Sequence, residues 1–135
     1  MIVLDASAVV AVLAGEPEGE AFVALIVDDG SARISAATFL EAGIVLASDG
    51  FRRPAIDDSY LDDFIARTGT VVEPVTHHQA LIARAAFRRF GKGTGHPAGL
   101  NFGDCFSYAL ARSLDAPLLF KGEDFARTDI RSALA

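Results

Sequence analysis

Four carboxylates of this sequence occur where acids can meet at one edge of a sheet: Asp5, Glu41, Asp104 and Asp124. Each position also has an ordinary explanation. Asp5 can simply end a strand, and Glu41 can reach solvent from the rim of the core. Asp104 is a good helix N-cap, and Asp124 suits a turn. Because open α/β sheets bind ligands at the carboxyl ends of their strands, we interpret the four acids together as a candidate site.

Carboxylates gathered in one pocket repel one another strongly. At about 4 Å and an effective dielectric constant of 20, each pair costs roughly 4 kcal/mol. Either some of the acids hold protons or a cation lies between them. All-oxygen ligands favour a hard ion, so we expect Mg²⁺, with Mn²⁺ as the alternative. Zinc is not indicated, because the three histidines and the lone cysteine lack the spacing of zinc ligands.

Strands alternate with helices along the chain. Short apolar runs predict strands at the N-terminus and at residues 32–35, 71–74 and 117–120. Apolar residues at helical spacing predict helices at residues 6–14, 18–28, 36–48, 54–68, 76–90 and 104–114. Ser7 is a good N-cap for the first helix, and Pro54 suits the first turn of the fourth. The alternation is typical of an α/β domain with a parallel sheet of four or five strands flanked by helices.

The composition fits a single globular domain spanning residues 1–135, of which 51% are hydrophobic. The net charge of −6 argues against a protein that coats polyanions, so any activity on nucleic acid needs a local basic patch or metal ions. No apolar run approaches the roughly 20 residues of a membrane span, and Asp5 interrupts the start too early for a signal peptide. The lone Cys105 excludes an internal disulfide and permits a reducing compartment, so a cytoplasmic location is expected.

Four sequence blocks resemble the signature blocks of PIN-domain ribonucleases, and more narrowly those of VapC toxins from VapBC toxin–antitoxin systems. The blocks are LDASA at residues 4–8, TFLE at 38–41, LNFGDCFSYALA at 100–111, and LLFKGEDF at 118–125 followed by TDI at 128–130. They occur in the family's order and cover both ends and the middle of the chain. The third and fourth blocks are the specific ones. The resemblance implies a three-layer PIN-like fold.

The resemblance also implies a function, a Mg²⁺-dependent endoribonuclease that is the toxin of a type II toxin–antitoxin pair. Its acidic quartet would be the four carboxylates named above, with Asp5 and Asp104 as the most direct metal ligands. Ser7 and Thr128 would support the site from a second layer. By analogy, a metal-bound water attacks the phosphodiester in line and leaves a 5′-phosphate and a 3′-hydroxyl. The family's toxins are usually homodimers and are silenced by a cognate VapB antitoxin.

Basic residues recur on the fifth predicted helix and just beyond it. Arg84 and Arg88 lie one turn apart and share a face, and Lys92 follows the helix. Such a ridge on an acidic protein is a candidate contact for the RNA backbone. The alternative is an ordinary solvated helix face.

A rival interpretation is a receiver-like phospho-acceptor module for signalling, which also gathers aspartates and Mg²⁺ at a strand edge. Lys121 after the last predicted strand suits that alternative. Against it, the third predicted strand ends in Glu73 and Pro74 rather than in an acceptor aspartate. A binding protein without catalysis is a third interpretation, disfavoured because all four acids are present.

Overall fold

The structure of the protein is a computed structural model that describes residues 1–48 and 54–134. Within these ranges the chain forms a parallel sheet from the strands β1 (Val3–Leu4), β2 (Arg33–Ser35), β3 (Val71–Glu73) and β4 (Leu118–Leu119). The strand order is β3-β2-β1-β4, and each neighbouring pair runs parallel. Val3 lies opposite both Arg33 and Leu118, so β1 is a central strand. The predicted α/β class and parallel sheet are confirmed.

Six α-helices connect and flank these strands within the described residues. They are α1 (Ala6–Leu13), α2 (Gly19–Asp29), α3 (Ala36–Ala47), α4 (Asp58–Thr68), α5 (His77–Phe90) and α6 (Phe102–Leu114), and a short 3₁₀ helix follows at Phe125–Arg127. Each predicted helix is present. The largest difference is at α4, which begins at Asp58 rather than at Pro54. The Asp57 side chain accepts a hydrogen bond from Ser59 N, so this acid caps the helix and the expected role of Pro54 is wrong.

Two further helix starts differ from the sequence prediction. Helix α1 is capped by Asp5, whose carboxylate accepts from the backbone N–H of Ser7, so Ser7 lies inside the helix instead of capping it. Helix α6 is capped by Asn101, and Asp104 occupies the third helical position. Asn101 Oδ1 accepts from Asp104 N, and Asp104 Oδ2 accepts from Asn101 N, which forms a capping box. Asp104 therefore does not open its helix, because the turn begins earlier.

The sheet separates two apolar clusters, which explains why its central strand is apolar on both faces. Leu4 packs with side chains of α1, α2, α3 and α4, whereas Val3 packs with side chains of α5 and α6. Both residues have no exposed surface. Helices therefore cover both faces of the sheet, and the carboxyl ends of the strands stay accessible at one edge.

Within residues 1–48 and 54–134, no helix is long and apolar enough to cross a membrane.

Candidate active site

Asp5 follows β1 directly and is held in place by a set of hydrogen bonds. Its side chain is only 4% exposed. Oδ2 accepts from Ser7 N at 3.1 Å and from Ser7 Oγ at 2.6 Å, and Oδ1 accepts from Ser107 Oγ at 2.6 Å. A buried carboxyl is costly without such donors, so the site begins with an acid whose position is determined by its partners.

Ser107 is the site residue that the sequence analysis missed. It lies on α6, has no exposed surface, and connects Asp5 to Thr38 of α3, whose Oγ1 is 3.1 Å from Ser107 Oγ. One signal was available in the sequence. Ser107 stands among apolar neighbours on a helix, and a hydroxyl on a buried helix face requires a hydrogen-bond partner. Which partner it finds depends on how α6 packs on β1.

Glu41 lies on the second turn of α3 and packs against the backbone of Gly103. A Cβ atom at Gly103 would fall 2.9 Å from Glu41 Oε1 and 2.7 Å from Glu41 Cδ. A larger residue there would push the Glu41 carboxyl group out of its present position. Partial burial and the charges of Asp5 and Asp104 raise the pKa of Glu41 to about 7.

Asp104 is half-buried at the start of α6 and feels the acids on either side of it. Burial raises its pKa to about 6, the hydrogen bond from Asn101 N opposes that rise, and the charges of Asp5 and Asp124 add to it. The physical cause of the shifts in Glu41 and Asp104 is the same. Each carboxyl is partly removed from water and lies close to other negative charges, so each keeps its proton up to a higher pH.

One cavity joins these acids. Its volume is about 470 Å³, and Asp5, Glu41 and Asp104 all line it. Ser7 and Lys121 line it too, and Ser7 Oγ accepts from Lys121 N at 3.0 Å while it donates to Asp5. Three of the four predicted acids therefore share a pocket at the carboxyl edge of the sheet.

Asp124 and Thr128 lie at the margin of this arrangement. Asp124 is exposed and precedes the 3₁₀ helix without forming a side-chain cap. It is near enough to Asp104 to raise the pKa of that carboxyl. Thr128 Oγ1 donates to Phe125 O at 2.7 Å and accepts from Ile130 N, so its hydrogen bonds hold the turn after the 3₁₀ helix. Support of the acids by Thr128 stays a prediction.

Comparison with known proteins places this arrangement in a family. The profile of the PIN domain matches residues 2–131. Ribonuclease VapC28 from Mycobacterium tuberculosis is 49% identical over 133 residues, which are 98% of each chain. Ribonuclease VapC from Mycolicibacterium smegmatis is 46% identical over 129 residues, covering 96% of this chain and 97% of that protein. The chain belongs to the PIN domain family, and within it to the VapC ribonucleases.

The fold agrees with this membership. The crystal structure of VapC20 from Mycobacterium tuberculosis, described as a toxin that cleaves the Sarcin–Ricin loop, has a TM-score of 0.70 with this chain. The two proteins are 20% identical, and the match covers 96% of each. At this identity the likeness concerns the PIN fold alone. The match to the PIN domain and the VapC relatives confirm the predicted family and ribonuclease class, and the structural match agrees with the predicted fold class.

Family membership decides against the phospho-acceptor alternative. Lys121, the residue that suited this alternative, forms ion pairs with two acids that follow α1 in this VapC-type chain. Its Nζ lies 2.8 Å from Glu16 Oε1 and 3.2 Å from Glu18 Oε2. Glu73, at the end of β3, pairs with Arg33 at 2.6 Å instead of facing the acidic cavity.

The three candidate RNA contacts do not line the acidic cavity. Arg84 and Arg88 are exposed on α5, and both line a separate concavity between α5 and α6. Lys92 is exposed just after α5, where its backbone N–H donates to Leu100 O at 2.8 Å. A contact of these three side chains with RNA stays a prediction for this member of the VapC ribonucleases.

Proposed function

We propose that this chain is a divalent-metal-dependent endoribonuclease that hydrolyses RNA phosphodiester bonds, with Mg²⁺ as the ion and Mn²⁺ as the alternative. The observation that carries the proposal is the shared cavity of Asp5, Glu41 and Asp104, two of whose carboxyl groups have raised pKa values because of burial and mutual repulsion. Membership of the VapC ribonucleases supports the same activity.

The donor set of the cavity fits a hard divalent cation. Its candidate ligand atoms are carboxylate oxygens, which suit Mg²⁺ or Mn²⁺. Within residues 1–48 and 54–134, no group of three or more His, Cys, Asp or Glu side chains is arranged to hold a metal ion by itself. A Mg²⁺ ion needs fewer protein ligands than that, because it usually binds one or two carboxylates and keeps several waters. Asp5 and Asp104 would hold the ion directly, with Glu41 and Asp124 completing the site.

The other residues of the site position these acids. When bound, the ion would activate water and stabilise negative charge on the phosphate. Ser7 and Ser107 orient the Asp5 carboxyl from two sides. The capping box holds Asp104 at the start of α6, and Gly103 leaves room for Glu41. The expected products are a 5′-phosphate and a 3′-hydroxyl.

We propose further that the chain is the toxin of a type II toxin–antitoxin pair, that it works as a homodimer, and that a VapB-type antitoxin neutralises it. Support comes from the VapC relatives, which match 98% and 97% of their own length with this chain. A small upstream open reading frame whose product co-purifies with this chain would support the pairing. A chain that purifies alone from cells expressing both reading frames would contradict it.

The nuclease proposal is tested with purified protein and single-stranded RNA. We expect cleavage in Mg²⁺, no cleavage after chelation with EDTA, and loss of cleavage in Asp5→Ala and Asp104→Asn. Asp63→Asn on α4 is the matched control, because Asp63 is an exposed acid outside the cavity. Cleavage by Asp5→Ala or Asp104→Asn at the rate of the parent protein would show that the assignment is wrong.

A further inference from the structure

A second concavity lies between α5 and α6 and has an aromatic lining. Its volume is about 440 Å³, and its lining includes Phe87, Phe102 and Phe106 together with Arg84 and Arg88. We call this surface the aromatic groove. Phe102 is 78% exposed and Phe87 is 39% exposed, although both side chains are fully apolar. Large apolar rings gathered on one exposed surface indicate a site that another molecule covers.

The rings of the aromatic groove are held in position by their neighbours. Phe102 and Phe106 meet edge to face, with ring centroids 4.9 Å apart and an interplanar angle of 87°. Phe87 lies against the backbone of Gly91, where a Cβ would be 2.6 Å from Cδ2 of the ring. The contact with Phe106 restricts the Phe102 ring and leaves most of its surface open to a flat ligand.

The polar part of the groove is positive. Arg84 and Arg88 are exposed one turn apart on α5, and neither forms an ion pair among the described residues. No acidic side chain lines the groove in the described part of the chain. In a chain of net charge −6, two unpaired arginines beside aromatic rings form a local site for an anion that carries a flat ring.

The first turn of α6 contributes to both the aromatic groove and the acidic cavity. Phe102, the first residue of α6, lines the groove, whereas Asp104, two residues later and on another side of the helix, lines the cavity. Gly103, between them, contacts the carboxyl of Glu41. A strand that places a phosphate at the acids and passes over the N-terminal end of α6 therefore reaches the groove within about the length of one helical turn.

We propose that the aromatic groove binds an unstacked base of single-stranded RNA beside the scissile phosphate, with Phe102 as the stacking surface and Arg84 and Arg88 at the neighbouring phosphate. This inference rests on the proposed nuclease function and adds a base subsite to it. Proteins that bind single strands combine aromatic platforms with cationic side chains in this way. A nucleotide fits better than a peptide, because one ligand unit then supplies both the flat ring and the anion, next to a cavity suited to a phosphate.

The experiment couples a change in the protein to a change in the RNA. The cleavage site of a short single-stranded RNA is mapped in Mg²⁺, and abasic nucleotides are placed at each position around it. For the full-length parent protein, we expect one abasic position to raise KM about tenfold, the range for removal of one base stack, with kcat changed by less than about twofold. Phe102→Ala should raise KM on intact RNA by a similar factor and remove the abasic penalty.

Two control sets separate stacking from charge. Tyr60→Ala removes a 62% exposed aromatic residue on α4. It should leave the KM for intact RNA and the KM for abasic RNA unchanged. Arg84→Gln and Arg88→Gln should reduce the slope of log affinity against log salt by about 0.7 for each phosphate that the protein no longer neutralises. Arg67→Gln, an exposed residue of α4, should leave that slope unchanged.

A binding measurement without metal distinguishes failure of this inference from failure of the nuclease proposal. The parent protein should change the fluorescence of single-stranded RNA that carries 2-aminopurine, and Phe102→Ala should not. This result without any cleavage would support the subsite and overturn the nuclease proposal. If the parent protein cleaves RNA, and Phe102→Ala raises KM by the same factor on intact RNA and on abasic RNA, the subsite alone is overturned. If Phe102→Ala no longer binds a co-purifying antitoxin but cleaves RNA as the parent protein does, the subsite is overturned in favour of a protein partner.

Discussion

Asp5 and Asp124 follow neighbouring parallel strands, yet their surroundings differ in almost every respect. Asp5 comes directly after β1, is 4% exposed, and accepts hydrogen bonds from Ser7 and Ser107. Asp124 comes five residues after β4, is exposed, and makes no capping hydrogen bond. The difference follows from burial. A carboxyl withdrawn from water needs donors, and those donors hold it in one position, whereas an exposed carboxyl is solvated and can move.

This difference in surroundings indicates unequal roles within the proposed quartet. A fixed acid can set the position of a cation before substrate arrives, so Asp5 is suited to direct coordination. A mobile acid can complete the site only as ligands arrive, so Asp124 is suited to a supporting role. The following predictions test this distinction, beginning with the largest expected effect.

Asparagine at each position should separate the two roles. We expect Asp5→Asn to lower the rate of RNA cleavage by more than about 100-fold, beyond the usual loss for residues that only support a ligand. Asp124→Asn should cost about tenfold. Cleavage rates at saturating Mg²⁺ provide the measurement. Equal losses in the two variants would break the distinction between a fixed and a mobile acid.

Replacement of Gly103 by alanine should displace the Glu41 carboxyl group without unfolding α6. The added Cβ would meet the Glu41 carboxyl, so we expect cleavage to fall about 10- to 100-fold as that side chain is displaced. Helix propensity favours alanine by about 1 kcal/mol, so thermal stability should not fall in parallel. Gly43→Ala is the matched control on α3, where the new Cβ would make an ordinary 3.6 Å contact with Leu61. Full activity in Gly103→Ala would mean that Glu41 need not stay where the structure places it.

Removal of the Ser107 hydroxyl should leave the Asp5 carboxyl with fewer hydrogen-bond donors, and so held less firmly, as the exposed Asp124 carboxyl is. Ser107→Ala deletes one donor to a buried carboxyl and leaves Thr38 without that partner, so we expect a loss of about 2 kcal/mol in the free energy of unfolding. Ser107→Thr keeps a hydroxyl and should recover part of the loss. Ser113→Ala is the control, because Ser113 Oγ donates only to Leu110 O on its own helix. Equal unfolding free energies for the parent and Ser107→Ala, measured by urea denaturation, would contradict the role of this hydrogen bond.

The smallest expected effect is a dependence of stability on pH in metal-free protein. The pKa of Glu41 is raised from 4.5 to about 7 and that of Asp104 from 3.8 to about 6. The folded state therefore holds more protons than the unfolded state between about pH 4 and 7, so stability falls as pH rises through this window. After allowance for solvent screening, we expect about 1 kcal/mol for each group.

Thermal unfolding at pH 5 and pH 8, with EDTA and with Mg²⁺, measures this dependence. Mg²⁺ should raise the melting temperature more at pH 8, where the carboxyl groups are ionised and their repulsion is greatest. Glu41→Gln should flatten the pH dependence, because it removes one titrating group. A stability that rises from pH 5 to pH 8 without metal would show that the acids do not repel one another as the geometry indicates.

Local patterns in the sequence were sufficient to predict the helices and strands and to name the candidate acids. Apolar runs and helical spacing predicted the strands and helices, because burial on a sheet and on a helix face imposes different periods. The four signature blocks, above all those around Asp104 and Asp124, predicted the family. Helix starts were predicted less well, because several residues near each start can cap it. Asp57 and Asn101 are the N-caps because the local backbone conformation places their side chains within reach of the free N–H groups.

By itself, then, the sequence determined the α/β order of the chain, the identity of its acids and its kinship with the PIN domain family. Only the tertiary structure decided that Asp5 is buried under Ser107, that Glu41 rests on Gly103, and that Asp124 stays outside in solvent. The physical reason is distance along the chain. Asp5 and Ser107 are 102 residues apart, and their hydrogen bond exists only because packing of α6 against β1 brings them together.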